Sequence, residues 1–429
     1  MRYVILAYLW AIALIAYIQR AAISVPLQEI GRDLNLIEAT KALGLLQSAW
    51  HLGYALMQLP AGRLADRIGG RRAILIYAVL WSLATGLTGL AQNYWSLVCA
   101  WGLMGTLQAG AFPCAVRSIG QVFGDKERAR ASGWLGAGML SGGAIAPILT
   151  AWLLAILVPV EHYWQFDRWR ICLMLYAIPG LLWAVVYGLG TAHLKTAMEV
   201  SAGDSSVTTK AQLALQPSSA KSTWRYAITD GSLILLCGQQ FFRAAAMVFF
   251  LTWFPTFLQS TREVSLLESG VLTSYAGVAA LLGVLTGGYC SDLILAKTGN
   301  KRLARQGIAV AGMSTCAALT ILSYYIVDVN LAIAVISLGA FVAAFGGVAG
   351  YTVAIDYGGK NVGTVFGAMN MCGGLGAMLF PVTVGWLVWA TDDWNMALFV
   401  FAGLMALDAV LWACLNPKGK FLEQSPRVA

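Results

Sequence analysis

Apolar runs close to the length of a membrane-crossing helix recur twelve times along this chain, and that recurrence leaves few folds open. About 20 apolar residues cross a bilayer as an α-helix. Inside hydrocarbon every backbone N–H and C=O must be satisfied within the chain, so such runs fold as helices. Cutting at Pro, Gly and charged clusters predicts spans at approximately 3–27, 41–62, 73–91, 95–122, 131–157, 171–192, 227–258, 266–290, 306–327, 331–353, 362–390 and 394–415. Composition agrees: of 429 residues 59% are hydrophobic and only 11% charged, against roughly 25% charged in a soluble domain. A soluble enzyme, a disulfide scaffold and a disordered chain are excluded. The first run is too long for a signal-peptide core and lacks a small-x-small site, so it reads as a retained span. Eight cysteines lie in or at the ends of the runs without a CxxC pair, as small packing residues do.

Lys and Arg alternate loop by loop. One set of loops carries twenty: Arg2, Arg63, Arg67, Arg71, Arg72, Lys126, Arg128, Arg130, Lys195, Lys210, Lys221, Arg225, Lys297, Lys301, Arg302, Arg305, Lys360, Lys418, Lys420 and Arg427. The other set carries five, Arg32, Lys41, Arg168, Arg170 and Arg262. By the positive-inside rule both termini are expected in the cytoplasm of a multi-pass protein of the cell (inner or plasma) membrane. The net charge of +8 is then an orientation signature, and no nucleic-acid partner is needed to account for it. A Ser/Thr/Ala/Gln-rich connection at 193–226 reads as a cytoplasmic linker between a six-span unit at 1–192 and a second at 227–429.

The two units echo each other. Gly62-x-Leu64-Ala65-Asp66-Arg67-x-Gly69-x-Arg71-Arg72 joins spans 2 and 3, and a weaker copy with Asp292 joins spans 8 and 9, about 226 residues later. Gly136-Ala137 and Gly142-Gly143 in span 5 return as Gly367-Ala368 and Gly373-Gly374 in span 11. Parallel repeats of this kind place a binding site between the halves near the bilayer midplane. In physical terms the loop motif is a charged clasp that parts when the halves rock, with Asp66 meeting a helix N-terminus and a neighbouring Arg. The bland alternative is positive-inside anchoring with a glycine turn.

These residues resemble the loop signature of the major facilitator superfamily. The resemblance implies an all-α membrane protein of twelve transmembrane helices in two pseudo-symmetric six-helix bundles. A finer likeness, to the anion:cation symporter branch, covers nearly the whole chain. It is carried by Tyr17-x-x-Arg20-x-x-Ile23-Ser24, Tyr54-x-x-x-Gln58-x-Pro60-x-Gly62, Phe112-Pro113 with Arg117, Leu251 to Leu258, and Gly363-Thr364 followed by Gly367-x-x-Asn370-x-x-Gly373. The branch includes carriers of sugar acids and other organic anions.

Three arginines remain outside the loops: Arg20 in span 1, Arg117 in span 4 and Arg243 in span 7. Each costs roughly 2.5–3.5 kcal/mol at the centre of a helix, so an ionisable residue there is a functional candidate first. Snorkelling or pairing with a buried acid is the alternative. Asp230 and Asp408 are acids within the spans, and the sequence makes neither an evident partner of Arg20 or Arg243. A cavity with guanidinium groups and few acids suits a small organic anion. The resemblance implies that spans 1, 4 and 7 line that cavity, and that Tyr54, Tyr351 and Asn370 match cargo-contacting positions. Tyr17, Gln58, Gln239 and Gln240 join them as hydrogen-bonding candidates, each equally readable as a helix–helix bond. Trp50 and Trp253 are read as packing more than binding.

Coupling is the open point. Sugar-acid symporters of the branch carry Asp before the span 1 Arg, whereas this chain has Gln19. His51, in span 2, has the intrinsic pKa range to carry a proton instead. The reading is therefore a secondary transporter of an organic anion, a sugar acid or similar carboxylate, by proton-coupled symport and alternating access. Exchange against phosphate or another anion is the alternative, and a membrane anion sensor a remote one. No HExxH, GxSxG, Walker or CxxC signature speaks for an enzyme. No metal or cofactor is expected, and the expected working unit is a monomer in the lipid bilayer.

Overall fold

The computed structural model describes residues 2–68, 70–123, 125–164, 166–192, 230–358 and 362–415; side chains outside the description include Gly62, Asp66, Arg67 and Arg117. The assignment of a linker at 193–226 therefore falls outside the described residues.

Span 1 is α1 (Arg2–Ala21), continued by a 3-10 turn, Ala22–Ser24, and the short α2 (Leu27–Asp33). Then follow α3 (Ala39–Ile68) and α4 (Gly70–Gly89). Span 4 is broken into α5 (Tyr94–Gln108) and α6 (Ala111–Val122). Pro113 explains the break, because its ring excludes the preceding turn from a continuous helix. The first half ends with α7 (Asp125–Ile156), the short α8 (Val158–Trp164) and α9 (Arg168–Ala192). In the second half α10 (Gly231–Thr252) gives way to α11 (Phe254–Thr261) with Pro255 in the first turn. The remaining helices are α12 (Leu266–Thr298), α13 (Ile308–Tyr324, entered through a π-helical turn at Leu303–Gly307), α14 (Val329–Gly358), α15 (Val362–Thr391) and α16 (Asn395–Cys414).

Eleven helical segments among the described residues are long and apolar enough to cross a bilayer. The twelfth span is α3, which has 30 residues but carries Gln47, His51 and Gln58 along its length. Its polarity follows from its position beside the central cavity. Large apolar side chains such as Val186, Leu189, Leu285 and Val410 are exposed, which a lipid environment tolerates and water would not. Asp230, at the start of span 7, is spent as the cap of α10: its carboxylate accepts from Leu233 N at 2.7 Å and from the Tyr357 hydroxyl at 2.5 Å.

Within the first half α1 packs on α7, α3 on α5 and α4 on α9; within the second, α10 packs on α15 and α16, and α14 on α12 and α13. The halves meet mainly through α3 against α15 and α7 against α12. The internal repeat interchanges these two contacts, since it maps span 2 onto span 8 and span 5 onto span 11.

The inter-half contacts lie toward the face opposite the one bearing Arg2 and Cys414. A Cβ at Gly44 would fall 2.5 Å from the Pro381 carbonyl oxygen, and one at Gly385 2.7 Å from that of Thr40, so α3 and α15 meet backbone to backbone. Ser48 donates to the Met378 carbonyl at 2.7 Å, Ser274 accepts from Ile148 N at 3.0 Å, and Gln28 donates to Ser260 at 2.8 Å. On that face Arg170 also ties the first half together. It donates to Asp33 and Asp167 at 2.7 Å each and to the Ala91 carbonyl.

Candidate functional site

Arg20 sits at the end of α1, half-buried, where the helix tightens into its 3-10 turn. Its guanidinium carbon lies 4.3 Å from the centre of the Trp50 ring, 5.2 Å from Tyr17 and 5.9 Å from Tyr54. Trp50 and Tyr54, one turn apart on α3, stack at 4.8 Å with an interplanar angle of 17°. Trp50 itself is held rigidly. Its indole N–H donates to Met104 Sδ at 2.9 Å, and a Cβ at Gly105 would fall 2.2 Å from its carbonyl oxygen. Small residues thus let α3 and α5 touch, which fixes the aromatic platform under the guanidinium.

The cation is held by π-faces rather than by acids. No ion pair to Arg20 is present among the described residues, and its buried Nε has no hydrogen-bond partner. Rings attract the charge through their quadrupoles and leave the hydrogen-bonding edge available. Gln58 lies one turn beyond Tyr54 on α3, and the electrostatic neighbours of the Tyr54 hydroxyl are Tyr17, Arg20 and, from the other half, Tyr351. Tyr17, Arg20 and Tyr54 line a narrow cavity of about 20 Å³ with Gln108, Phe112, Leu135 and Met139.

Arg243 approaches from α10. Its Nη2 donates to Gln240 Oε1 at 2.6 Å, its guanidinium carbon is 6.0 Å from the Tyr351 ring centre, and its buried Nε is unbonded. Gly347 of α14 makes room, since a Cβ there would meet Arg243 Nη1 at 3.2 Å. Gln240 is pressed against Gly373 of α15. Asn370 is half-buried one turn before Gly373 and Gly374 on that helix. The structure thus brings Tyr17, Arg20, Tyr54, Gln58, Tyr351 and Arg243 together. The Arg117 side chain lies outside the described residues.

Behind Arg20 a second cavity of about 10 Å³ is lined by Arg20, Gln47, Trp50, His51, Trp101 and Thr252. His51 is buried, edge-on to Trp50 at 5.0 Å, and within the field of Arg20. Gln47 was not singled out by its sequence context. It is buried with both amide atoms unbonded. Only its i, i+3 and i, i+4 spacing from Trp50 and His51 hinted at a shared face.

Gln19 faces away from the cavity. Its side chain accepts from Trp81 Nε1 at 2.9 Å and donates to the Tyr176 carbonyl at 2.7 Å, joining α1 to α4 and α9. Trp253 is fully buried, donates to the Pro381 carbonyl at 3.1 Å, and borders a wider cleft of about 590 Å³ on the face away from the termini, with Gln28, Arg32, Thr256 and Trp394.

In the loop motif, Gly62, Asp66, Arg67 and Gly69 fall outside the described residues or side chains. Arg71 Nε donates to Thr191 at 2.9 Å, and Arg72 is exposed. In the second copy Asp292 pairs with Arg305 at 3.0 Å. That pair pins α12 to the π-helical turn before α13, inside one half. Asp408 makes no ion pair or hydrogen bond with either arginine among the described residues, although it lies within the field of Arg243.

Residues 9–327 match the model of the Major Facilitator Superfamily, and the chain belongs to that family. It is 28% identical over 427 residues to a probable sulfoacetate transporter of Cupriavidus necator, covering 97% of this chain and 94% of that one. A D-galactonate transporter of Escherichia coli is 29% identical over 398 residues, covering 90% and 89%. A hexuronate transporter of Bacillus subtilis is 26% identical over 413 residues, covering 95% and 92%. The fold is shared with a bacterial homolog of the human lysosomal transporter Spinster in an inward-facing and occupied conformation, with a TM-score of 0.73 at 18% identity over 96% of this chain and 95% of that one.

Proposed function

We propose that this chain is a secondary transporter of a small organic anion, a sugar acid or similar carboxylate or sulfonate, working by alternating access of its two halves. The observation that carries the reading is Arg20: a guanidinium in the membrane interior, bedded on Trp50, with hydrogen-bonding capacity turned to no acid of the described chain. A cargo carboxylate accepts two parallel N–H bonds from such a group. Tyr17, Tyr54 and Gln58 would meet its hydroxyls, and Arg243 with Tyr351 would hold its other end from the second half. The names of the relatives, carriers of sulfoacetate, galactonate and hexuronate, agree with this cargo class. A sugar acid is larger than the cavity beside Arg20, so its entry requires the lining or the halves to part. With the termini cytoplasmic, the seal at Gly44 and Pro381 is the outer gate, and the form described is closed to the outside.

Coupling by proton symport is the finer part of the proposal. Uptake of labelled D-galactonate, glucuronate, sulfoacetate and a hexose phosphate into proteoliposomes, with and without an inward proton gradient, tests both parts. Gradient-driven accumulation of a carboxylate or sulfonate is the expected result. Transport of the hexose phosphate alone, strictly against internal phosphate, would sink the reading in favour of an organophosphate exchanger.

A further inference from the structure

Asp408 is an acid deep in span 12 that, unlike Asp230, caps no helix. It lies on α16 with no exposed surface, and neither carboxyl oxygen has a hydrogen-bond partner. Buried carboxyl groups are almost always paired or hydrogen-bonded, because an isolated charge in a low-dielectric interior is costly. The neighbourhood shares this under-satisfaction. Gln239 Oε1, Trp412 Nε1 and Arg243 Nε are also buried and unbonded. A Cβ at Gly350 of α14 would lie 3.6 Å from both Gln239 Oε1 and the Trp412 ring, so these two meet at one level. Helices α10 and α16 run antiparallel and pack together. One turn further along, Arg243 follows Gln239 and Asp408 precedes Trp412, which sets the arginine and the acid at the next level.

The elements packed against α16 carry few other titratable groups. From α10 there are Arg243 and Cys237, from α13 Cys316 and Tyr324, from α15 Cys372, from the π-helical turn Arg305, and beside that turn Arg302, which donates to the Ala413 carbonyl. Arg305 is paired with Asp292. Among the described residues, Arg243 is the charged group whose field reaches Asp408.

We propose that Asp408 is the proton-binding site of the transport cycle, trading the charge of Arg243 with the carboxylate of the cargo. This rests on the organic-anion reading and adds to it the group that couples. When cargo engages Arg243, an ionised Asp408 is left as a buried charge without a counter-ion, so it takes a proton from the water on the open side. When the cargo leaves, Arg243 is again available to the carboxylate, and the proton departs on the side to which the halves have opened. One proton thus accompanies one monovalent anion. Coupling through His51 would instead place a second cation in the cavity of Arg20, where like charges repel.

The test uses the full chain in proteoliposomes with labelled D-galactonate, or whichever panel anion shows counterflow in the unaltered protein. Two modes are compared: counterflow without a gradient, and accumulation under an inward gradient of one pH unit. Electroneutral symport accumulates a monovalent anion about tenfold per unit. For Asp408→Asn counterflow should persist within a few-fold while accumulation falls to equilibration. Gradient-driven accumulation by Asp408→Asn equal to that of the unaltered protein would overturn the assignment. So would counterflow without any proton-driven accumulation in the unaltered protein, which leaves the organic-anion reading standing; absence of counterflow for every panel anion would remove that reading as well. If Asp408→Asn fails to fold, Asp408→Glu carries the test, with a displaced pH midpoint of uptake expected and an unmoved midpoint overturning the proposal.

Discussion

The guanidinium carbon of Arg20 rests 4.3 Å above the centre of the Trp50 ring, and this one contact places a full positive charge in the membrane interior without neutralising it. An acid in the same place would also stabilise the arginine, but it would occupy the bidentate edge that a carboxylate cargo needs. Removing either member should therefore separate charge from geometry. Arg20→Lys keeps the charge and loses the planar fork, worth about 1.5–3 kcal/mol in charge-assisted hydrogen bonding. Competition binding should show affinity roughly ten- to hundredfold weaker with the protein still folded. Trp50→Leu keeps the fork and loses about 0.5–2 kcal/mol of cation–π attraction, a smaller deficit. Wild-type affinity in Arg20→Lys would take Arg20 out of the site.

The meeting of Gly44 with the Pro381 carbonyl is a second sensitive point. A side chain at residue 44 has no space while α3 and α15 touch. Gly44→Val should cost the closed seal about 1–3 kcal/mol by overpacking. Transport should fall, and a cysteine placed at Thr256 in the adjoining cleft should become more reactive to a membrane-impermeant maleimide. Unchanged labelling would show that the seal is not what holds this face shut.

Gln19 invites a substitution toward the residue of the sugar-acid symporters. Because its amide both accepts from Trp81 and donates to Tyr176, Gln19→Asp removes the donor and turns a carboxylate toward a carbonyl. The expected outcome is a loss of about 1–3 kcal/mol in stability, read as a lower Tm, with no gain in the proton response of uptake. A steeper proton dependence would mean that this position does communicate with the cavity.

Arg170 offers a control far from the cargo. Its three acceptors join α2, the α4–α5 turn and the start of α9. Arg170→Ala leaves Asp33 and Asp167 without their cation, and since both are partly solvated the expected cost is about 1–3 kcal/mol. Tm should drop while the KM for the anion stays within about twofold, the size of effect expected away from the binding surface. A KM shift larger than the loss in stability would contradict a purely structural role.

Much of the architecture was legible in advance. Span number, the internal repeat and the family follow from the hydropathy and motifs; most predicted ends fall within about six residues of the helix ends, while α12 (Leu266–Thr298) runs well past its predicted end at 290. The least apolar span, α3, was still drawn, at 41–62, by the cuts at Pro, Gly and charged clusters. The break between α5 and α6 was not drawn, although Pro113 was in view, because proline inside a span ends some helices and leaves others, such as α15 with Pro381, continuous.

Twelve lipid-crossing helices, their order and three arginines out of place among apolar residues are properties of local sequence, since length, hydropathy and charge act within one segment. Partnership is decided otherwise. That Gln19 turns to Tyr176 and away from Arg20, that Gln47 stays unbonded beside it, and that Asp408 comes under the charge of Arg243 all depend on how helices rotate and pack against one another. Helix rotation is set by backbone contacts such as Gly105 on Trp50 and Gly44 on Pro381, between residues distant along the chain. No periodicity within a span encodes which neighbour it will meet, so the tertiary structure alone gave Arg20 its aromatic platform and set Asp408 within the field of Arg243.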